Sequence, residues 1–196
     1  MINKNDYLIE LPNLKIDETD ISRLLQLIDD LSEHWVEWSS EKFVGDIDWN
    51  VWLRYPGSFY EFPIINEIYS RLPESVTISC KTIPCSIMKI KPHSKLPIHR
   101  DLMSEQDTPV RLGVLMIPIT PDPCPIYFTD VDYNVLFEHS YTCPTIINAL
   151  VNHGVTNNSD LNRITLQFGI GINGILDDTE GSWSDVVDLI NRSGLA

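Results

Sequence analysis

The sequence predicts a mainly β fold, a sandwich or jelly roll, with a few helices packed beside it. β-type segments follow one another at modest spacing from residue 76 onward, and prolines and Asn, Asp and Gly clusters separate them. These segments are 76–83, 85–90, 110–119, 126–130, 135–138, 145–150 and 163–172. The regular alternation of short strands and breakers is typical of antiparallel sheets rather than of alternating strand and helix units.

Three helices are predicted outside the strand-rich region. Acidic and capping residues at 17–20 precede apolar residues at helical spacing as far as Leu31. A second helix is predicted over 62–72, where Pro63 suits the first turn and Pro73 ends it. A third covers 182–191. The aromatic-rich stretch 33–60 lacks clear periodicity and predicts ordered loop or short strand, with a candidate lid at 54–60.

Length and composition favour one domain. We expect residues 1–75 to form a helical and aromatic support region, 76–175 the jelly-roll core, and 176–196 a tail and helix of the single domain 1–196. A net charge of -14 argues against binding nucleic acid. The sequence shows neither a signal-peptide pattern nor a long apolar run, which predicts a cytoplasmic protein with no membrane partner. Its oligomeric state is left open.

Positive charge is concentrated in one part of this acidic chain. A solvated surface stripe and a locally positive pocket for small anions both explain the cluster, and the sequence does not decide between them. The cluster consists of Lys89, Lys91, Lys95, Arg100 and Arg111.

A set of three candidate metal ligands is the strongest functional signal. His99 and Asp101 are two residues apart, so in a strand both side chains point to the same face and can converge on one ion. His153 lies far downstream, after an apolar segment. Two imidazoles and one carboxylate can occupy one face of an octahedral ion, as in non-haem Fe(II) oxygenases. The ordinary alternatives are a surface salt bridge for the first pair and a structural role for the distant histidine.

The predicted last strand carries a polar row. Alternation over 163–170 places Arg163, Thr165 and Gln167 on one face, and the apolar Ile164 and Leu166 on the other. A polar row on an otherwise core-like strand is costly unless it meets partners. A bound dicarboxylate would be such a partner.

The order His-x-Asp, distant His, and then Arg with Thr two residues later resembles the Fe(II)/2-oxoglutarate-dependent oxygenases. The resemblance covers roughly residues 76–172. Within that superfamily the chain is most similar to the aspartyl/asparaginyl β-hydroxylase and amino-acid hydroxylase branch, through Ser86-Ile87-Met88 and Val110-Arg111-Leu112. The resemblance implies a double-stranded β-helix, a cupin-like jelly roll, with the N-terminal helices packed on the sheet.

The resemblance also implies a ligand set and a reaction. His99, Asp101 and His153 would bind Fe(II), and 2-oxoglutarate and O2 would be the cosubstrates. The expected reaction hydroxylates a C–H bond of an amino-acid-like small molecule or of a peptide Asp, Asn or Pro side chain, and releases succinate and CO2. Catalysis would depend on the metal, while the protein supplies geometry and a dry cavity.

Cosubstrate contacts follow from the same resemblance. Arg163 would pair with the far carboxylate of 2-oxoglutarate, because an Arg fork can hold a carboxylate bidentately. Thr165 would donate its hydroxyl to the same carboxylate. Arg111 and Ser86 are further candidates, and a surface role explains Arg111 equally well.

Two other functions remain open at this stage. A cupin-type metal enzyme that does not use 2-oxoglutarate usually brings three His and a Glu, whereas this chain shows His-x-Asp. A non-catalytic β-sandwich binding protein would hold no metal. Outside the motif, His93 is expected as a surface or cavity-lining residue, with a supporting position beside the metal as the alternative, and the sequence indicates no partner for His34 or His139.

Overall fold

Antiparallel strand pairing organises the chain. The computed structural model describes residues 3–37, 50–53, 58–73, 85–100, 112–120, 124–140, 142–170 and 182–196. Its strands are β1 Leu8–Glu10, β2 Trp35–Glu37, β3 Asn50–Leu53, β4 Ser86–Ile90, β5 Ser94–His99, β6 Gly113–Pro118, β7 Ile126–Thr129, β8 Val135–His139, β9 Thr145–Asn148, β10 His153–Asn157 and β11 Arg163–Ile170. Its α-helices are α1 Glu18–Asp30, α2 Pro63–Tyr69 and α3 Trp183–Ser193.

The strands form two sheets that face each other. One sheet has the order β1-β9-β6-β11-β4-β3-β2 and the other the order β5-β10-β7-β8. From β4 to β11 the chain passes repeatedly from one sheet to the other, and all the pairs within the described residues are antiparallel. This is a jelly roll, and the predicted fold class is confirmed.

Two apolar cores hold these layers together. One lies between the sheets and includes Met88, Met116 and Phe128. The other lies between the larger sheet and the helices, and includes Leu24 of α1, Ile65 of α2 and further residues of all three helices. The larger sheet is therefore covered on both faces, and the site described below lies in the core between the sheets.

The ends of α1 follow from local sequence. Asp17 and Asp20 form a capping box, in which each side chain accepts from the other residue's backbone N–H. Asp20 is only 3 % exposed, and its carboxylate accepts from both Nη atoms of Arg71, with Nη2 at 2.9 Å from Oδ1. That bond to Arg71 is the main cause of the lowered pKa of Asp20. The pair ties α1 to the end of α2.

The C-terminal helix closes the other end of the helical layer. Ser182 and Asp185 form its capping box, and Gly194 ends it in the left-handed conformation at φ 75°. Val186 and Ile190 are fully buried in the helix-side core. The chain ends are thereby fastened to the larger sheet. None of the described helices has the length and apolar character needed to cross a bilayer.

The predicted helices and most predicted strands are present. Two strands of the jelly-roll core, β5 and β10, were not among the predicted segments, because β5 contains a proline and β10, His-Gly-Val-Thr-Asn, is short and contains breaker residues. The predicted strand at 76–83 and most of the candidate lid, residues 54–57, lie outside the described residues. The division of the chain at 75 and 175 stays a prediction.

Candidate metal centre

His99 and His153 lie side by side in the smaller sheet. His99 ends β5, His153 begins β10, and the two are register partners across the pair of strands. Their ring centroids are 4.5 Å apart with an interplanar angle of 54°. Cross-strand partners point to the same face of a sheet. The register shifts between His153 and Val155, where β5 has one residue more than β10.

Both imidazoles are oriented by the same local hydrogen bond. His99 Nδ1 lies 2.8 Å from the carbonyl oxygen of Pro97, and His153 Nδ1 lies 2.8 Å from the carbonyl oxygen of Val151. A carbonyl oxygen can only accept, so each Nδ1 carries the proton. In the neutral ring Nε2 then keeps its lone pair, which is the form that binds a metal ion. The structure thus holds two adjacent histidines in the ligating tautomer.

The two rings form part of the wall of a cavity between the sheets. Its volume is about 50 Å³. Because one water needs roughly 10–15 Å³ on the same scale, the cavity has room for a few waters. The remaining wall consists of Gln167 and seven apolar side chains: Met88, Leu96, Val114, Met116, Ile126, Ile147 and Val155. Apolar walls exclude water and strengthen electrostatic interactions inside the cavity.

β11 directs a polar row towards this space. Arg163 pairs with Ile90, and Thr165 pairs with Met88; both partners belong to the core between the sheets. Intervening residues of β11 belong instead to the helix-side core. Arg163, Thr165 and Gln167 are 1 %, 0 % and 5 % exposed. The predicted alternation of β11 is therefore confirmed.

A hydrogen bond connects two members of this row. Gln167 Nε2 donates to Thr165 Oγ1 at 3.3 Å, and the same nitrogen lies 3.9 Å from the sulfur of Met88. Half-buried Ser86 is the β4 partner of Gln167 and shares its face. The row thus presents a guanidinium, a hydroxyl and an amide within an otherwise apolar core. A carboxylate is the ligand that matches such donors best.

Asn157, which sequence reasoning missed, lies at the other end of β10 from His153. This side chain is fully buried. Its Nδ2 lies 3.1 Å from Ile90 O, 3.0 Å from Lys91 O and 2.8 Å from Leu161 O. One side chain thus joins the end of β10 to the end of β4 and to the turn before Arg163. A single asparagine at the end of a strand gives no sequence signal for such a role.

A second bridge lies beside the histidines. Arg100 Nε donates to Asn152 Oδ1 at 2.8 Å. Asn152 Nδ2 donates to Asp130 O at 3.2 Å, and Asn152 O accepts from Thr129 N at 2.9 Å. Arg100 follows His99 and Asn152 precedes His153, so the bridge ties both histidine-bearing segments to the end of β7.

For the described members of the basic cluster, the structure supports the surface interpretation. Lys89 pairs with Ile164 and so lies on the helix-side face of the sheet. Its Nζ is 4.0 Å from the centre of the Trp35 ring, and burial lowers the pKa of Lys89. Lys95 and Arg100 are exposed. The walls of the cavity contain none of these lysines.

The remaining histidines have other partners. His93 is at the surface, as predicted, with its Nε2 2.9 Å from Asp160 Oδ1. The sequence indicated no partner for His139, and in the structure its Nε2 lies 3.2 Å from Glu10 Oε1. Burial lowers the pKa of His139, partly offset by Glu10. This contact joins residues of β8 and β1, which lie far apart in the chain.

Two predicted site residues, Asp101 and Arg111, lie outside the described residues. Within the described ranges, no three His, Cys, Asp or Glu side chains lie close enough together to hold a metal ion. The donors that are described fit Fe(II), because two neutral imidazoles are suitable ligands for it. Asp101 as the third ligand and Arg111 as an anion contact stay predictions.

The fold resembles solved structures of oxygenases, although no protein-family model and no curated protein matches the sequence. A Pseudomonas putida prolyl-4-hydroxylase has a TM-score of 0.53 at 12 % identity, over 83 % of this chain and 90 % of that chain. An oxidoreductase of the 2OG-Fe(II) oxygenase family from Burkholderia pseudomallei has a TM-score of 0.55 at 14 % identity. The match covers 86 % of this chain and 87 % of that chain.

A third similar structure contains a peptide. It is a prolyl hydroxylase from Trichoplax adhaerens in complex with a hypoxia inducible factor oxygen degradation domain peptide fragment, with a TM-score of 0.55 at 11 % identity over 86 % of this chain and 84 % of that chain. At such identities the likeness shows a shared fold. The aspartyl/asparaginyl β-hydroxylase branch is not represented among these three structures and stays a prediction.

Proposed function

We propose that this protein is an Fe(II)- and 2-oxoglutarate-dependent dioxygenase. Its substrate would be an amino-acid-like small molecule or an Asp, Asn or Pro side chain of a peptide. One observation carries the proposal: His99 and His153 are adjacent, and each Nδ1 donates to a backbone carbonyl. Two histidines with this shared orientation, on the wall of an apolar cavity, form a ligand pair rather than a packing contact.

The metal ligands in this proposal are His99, His153 and Asp101. Asp101 follows the end of β5 by two residues, so an extended chain would direct it to the same side as His99. Fe(II), with 2-oxoglutarate and O2, would supply the oxidation of a C–H bond, with succinate and CO2 as coproducts. The backbone carbonyls at Pro97 and Val151 would keep both rings in place when the metal binds.

The cosubstrate would lie along β11. The Arg163 guanidinium would hold its far carboxylate through two parallel hydrogen bonds, and Thr165 would donate its hydroxyl. Gln167 lies four residues after Arg163 on β11, which is about 13 Å at 3.3–3.4 Å per residue. Its side chain lines the cavity whose wall contains the two histidines. β11 therefore connects a carboxylate site to the metal side of the core. Arg111 and Ser86 are proposed as further contacts.

Metal binding and turnover test this proposal separately. Anaerobic titration of the purified chain with Co(II), and succinate formation with Fe(II), O2 and 2-oxoglutarate, are measured for four proteins. His153→Ala should lose both metal binding and turnover. Arg163→Lys should keep metal binding and raise the KM for 2-oxoglutarate about tenfold or more, because Lys cannot form the bidentate pair. His93→Ala is the matched control and should resemble the wild type, since His93 is a surface residue.

Two results would contradict the assignment. If the wild-type protein binds no divalent metal, a non-catalytic β-sandwich becomes the better description. If it binds Fe(II) but shows no absorption change and no turnover with 2-oxoglutarate, a cupin-type enzyme that uses no cosubstrate is favoured.

A further inference from the structure

An exposed apolar surface lies at the tip of the β7–β8 hairpin. Val131, Tyr133, Val135 and Leu136 are 73 %, 65 %, 53 % and 37 % exposed, and we call them the tip patch. The other exposed large apolar residues of the described chain are scattered over three separate elements: Leu25, Val36 and Leu161. Isolated exposed apolar residues are ordinary, whereas four within six residues of one hairpin indicate a binding surface.

The hairpin tip is a well-ordered turn. The Asp130 carboxylate accepts from the backbone N–H of Asp132 and of Asn134, both at 2.9 Å, and from Asn134 Nδ2 at 3.0 Å. Tyr133 N donates to Asp130 O at 3.2 Å. These bonds fix the turn before any partner arrives. A preorganised surface loses little conformational entropy on binding.

Tyr133 is an unusual residue for its backbone conformation. Its φ is 67°, in the left-handed region where Gly, Asn and Asp are favoured and a bulky residue is strained. Its side chain is largely exposed and so contributes little burial to the fold. Folding alone gives no reason for tyrosine at this position. Tyrosine is, however, among the residues that contribute most to binding surfaces.

The tip patch lies next to the candidate metal centre. β7 pairs with β10 so that Phe128 faces His153. The residue after β7, Asp130, accepts from Asn152 Nδ2, and Asn152 directly precedes His153. A chain segment that rests on the tip patch would therefore run beside the histidine end of the cavity.

The charge around the tip patch indicates which kind of polypeptide segment would bind there. Asp132 and Glu138 are exposed carboxylates at and beside the tip patch, and the protein carries a net charge of -14. A second copy of this chain would bring the same carboxylates to the contact and would be repelled. A basic and apolar partner is complementary in both respects.

We infer that the tip patch is the docking surface for a polypeptide substrate in which apolar side chains are flanked by lysine or arginine. This inference depends on the proposed oxygenase function only for calling the partner a substrate. Tyr133 and Val131 contact the apolar side chains, and Asp132 and Glu138 attract the basic ones. The peptide then extends past Asn152 towards His99 and His153. Of the two proposed substrate classes, a peptide side chain is the one this surface favours.

Direct binding tests the docking surface without any turnover. The probe is a fluorescein-labelled decapeptide of valine and leucine between lysines, with one central proline, and its counterpart has glutamate in place of lysine. Fluorescence anisotropy is measured with EDTA-treated, full-length protein at fixed ionic strength. Tyr133→Asn should fold at least as well as the wild type, because asparagine suits the left-handed backbone. It is expected to lower the affinity for the basic probe about tenfold or more. Leu161→Ser is the matched control, because Leu161 is also exposed but lies elsewhere, and its affinity should equal that of the wild type.

Several results would overturn the inference. The first is that the wild-type protein does not bind the basic probe. The second is that wild type and Tyr133→Asn bind the basic probe with equal affinity. The third is that the wild-type protein binds the acidic probe as tightly as the basic one. Sedimentation that shows a dimer dissociated by Tyr133→Asn would also overturn it, because the patch would then join two copies. A protein that binds the probe through Tyr133 but lacks 2-oxoglutarate turnover would keep the docking surface and refute only the oxygenase function.

Discussion

Arg100 and Asn152 are joined by a hydrogen bond of 2.8 Å between Nε and Oδ1. One residue directly follows His99 and the other directly precedes His153, so this bond spans the two segments that carry the candidate ligands. Asn152 also donates to Asp130 O. The histidine end of the smaller sheet is thus held by side chains as well as by the β5–β10 ladder, and the separation of the two imidazoles depends on both.

Asn152→Ala should weaken metal binding without unfolding the protein. It removes the bonds to Arg100 and to Asp130 O, which allows the two histidine segments to move apart. We expect Co(II) affinity to fall about tenfold, the lower end of what supporting contacts contribute. Arg100→Ala should cause part of this loss, and the double variant should lose no more than Asn152→Ala alone. Lys95→Ala, an exposed change on the same strand, is the control. Unchanged affinity in Asn152→Ala would show that the bridge does not position the ligands.

Gly154→Ala should disturb the strand that begins at His153. A Cβ at this position would lie 2.6 Å from Tyr127 Oη, 2.7 Å from Tyr127 Cζ and 3.0 Å from Leu96 O. Because a ring and a backbone oxygen must both shift, the free energy of unfolding should fall by about 1–3 kcal/mol. Urea denaturation measures this. Adding Tyr127→Leu should restore part of the loss, and no restoration would mean that the strain comes from the backbone contact alone.

Thr165→Val should affect cosubstrate binding more than folding. Valine keeps the shape of threonine but removes the hydroxyl, which now accepts from Gln167 Nε2 and which we propose donates to the cosubstrate. One neutral hydrogen bond contributes about 1 kcal/mol, so the KM for 2-oxoglutarate should rise about fivefold while Co(II) affinity stays constant. Thr142→Val, at an exposed position, should change neither value. An unaltered KM would argue against a hydroxyl contact with the cosubstrate.

Acid should destabilise the protein through Asp20. Its bond to Arg71 lowers the pKa of Asp20 below the ordinary value of 3.8, so the folded state binds this proton less readily than the unfolded state. The contribution of the Asp20–Arg71 pair to the free energy of unfolding is complete above about pH 5. It is lost as the pH falls through 3.8 towards the folded-state pKa of Asp20.

Asp20→Asn tests this contribution. It should lower the free energy of unfolding at neutral pH by about 2–3 kcal/mol, since it breaks a charged hydrogen-bonded pair at a buried carboxylate. It should also flatten the pH dependence of stability as the pH falls through 3.8. Glu67→Gln is the control, because the pair of Glu67 with Arg23 is exposed and should contribute little. Equal acid sensitivity of wild type and Asp20→Asn would assign the effect to other carboxylates.

Local chemistry explains what the sequence by itself determined. The starts of α1, α2 and α3 depend on capping residues and a proline within a few positions of the helix. The polar row of β11 depends only on the alternation of neighbouring residues. These features were predicted because each is set by side chains that are close together along the chain.

Only the tertiary structure decided which distant residues meet. The register of β5 against β10 makes His99 and His153 neighbours, whereas the sequence proposed them as ligands of one ion only through the order of the motif and its resemblance to a family. Neither the bridge through Asn152 nor the buried amide of Asn157 was predicted. Each depends on strand pairing between segments that are separated in the chain, and pairing is set by the packing of the whole sandwich rather than by any local pattern.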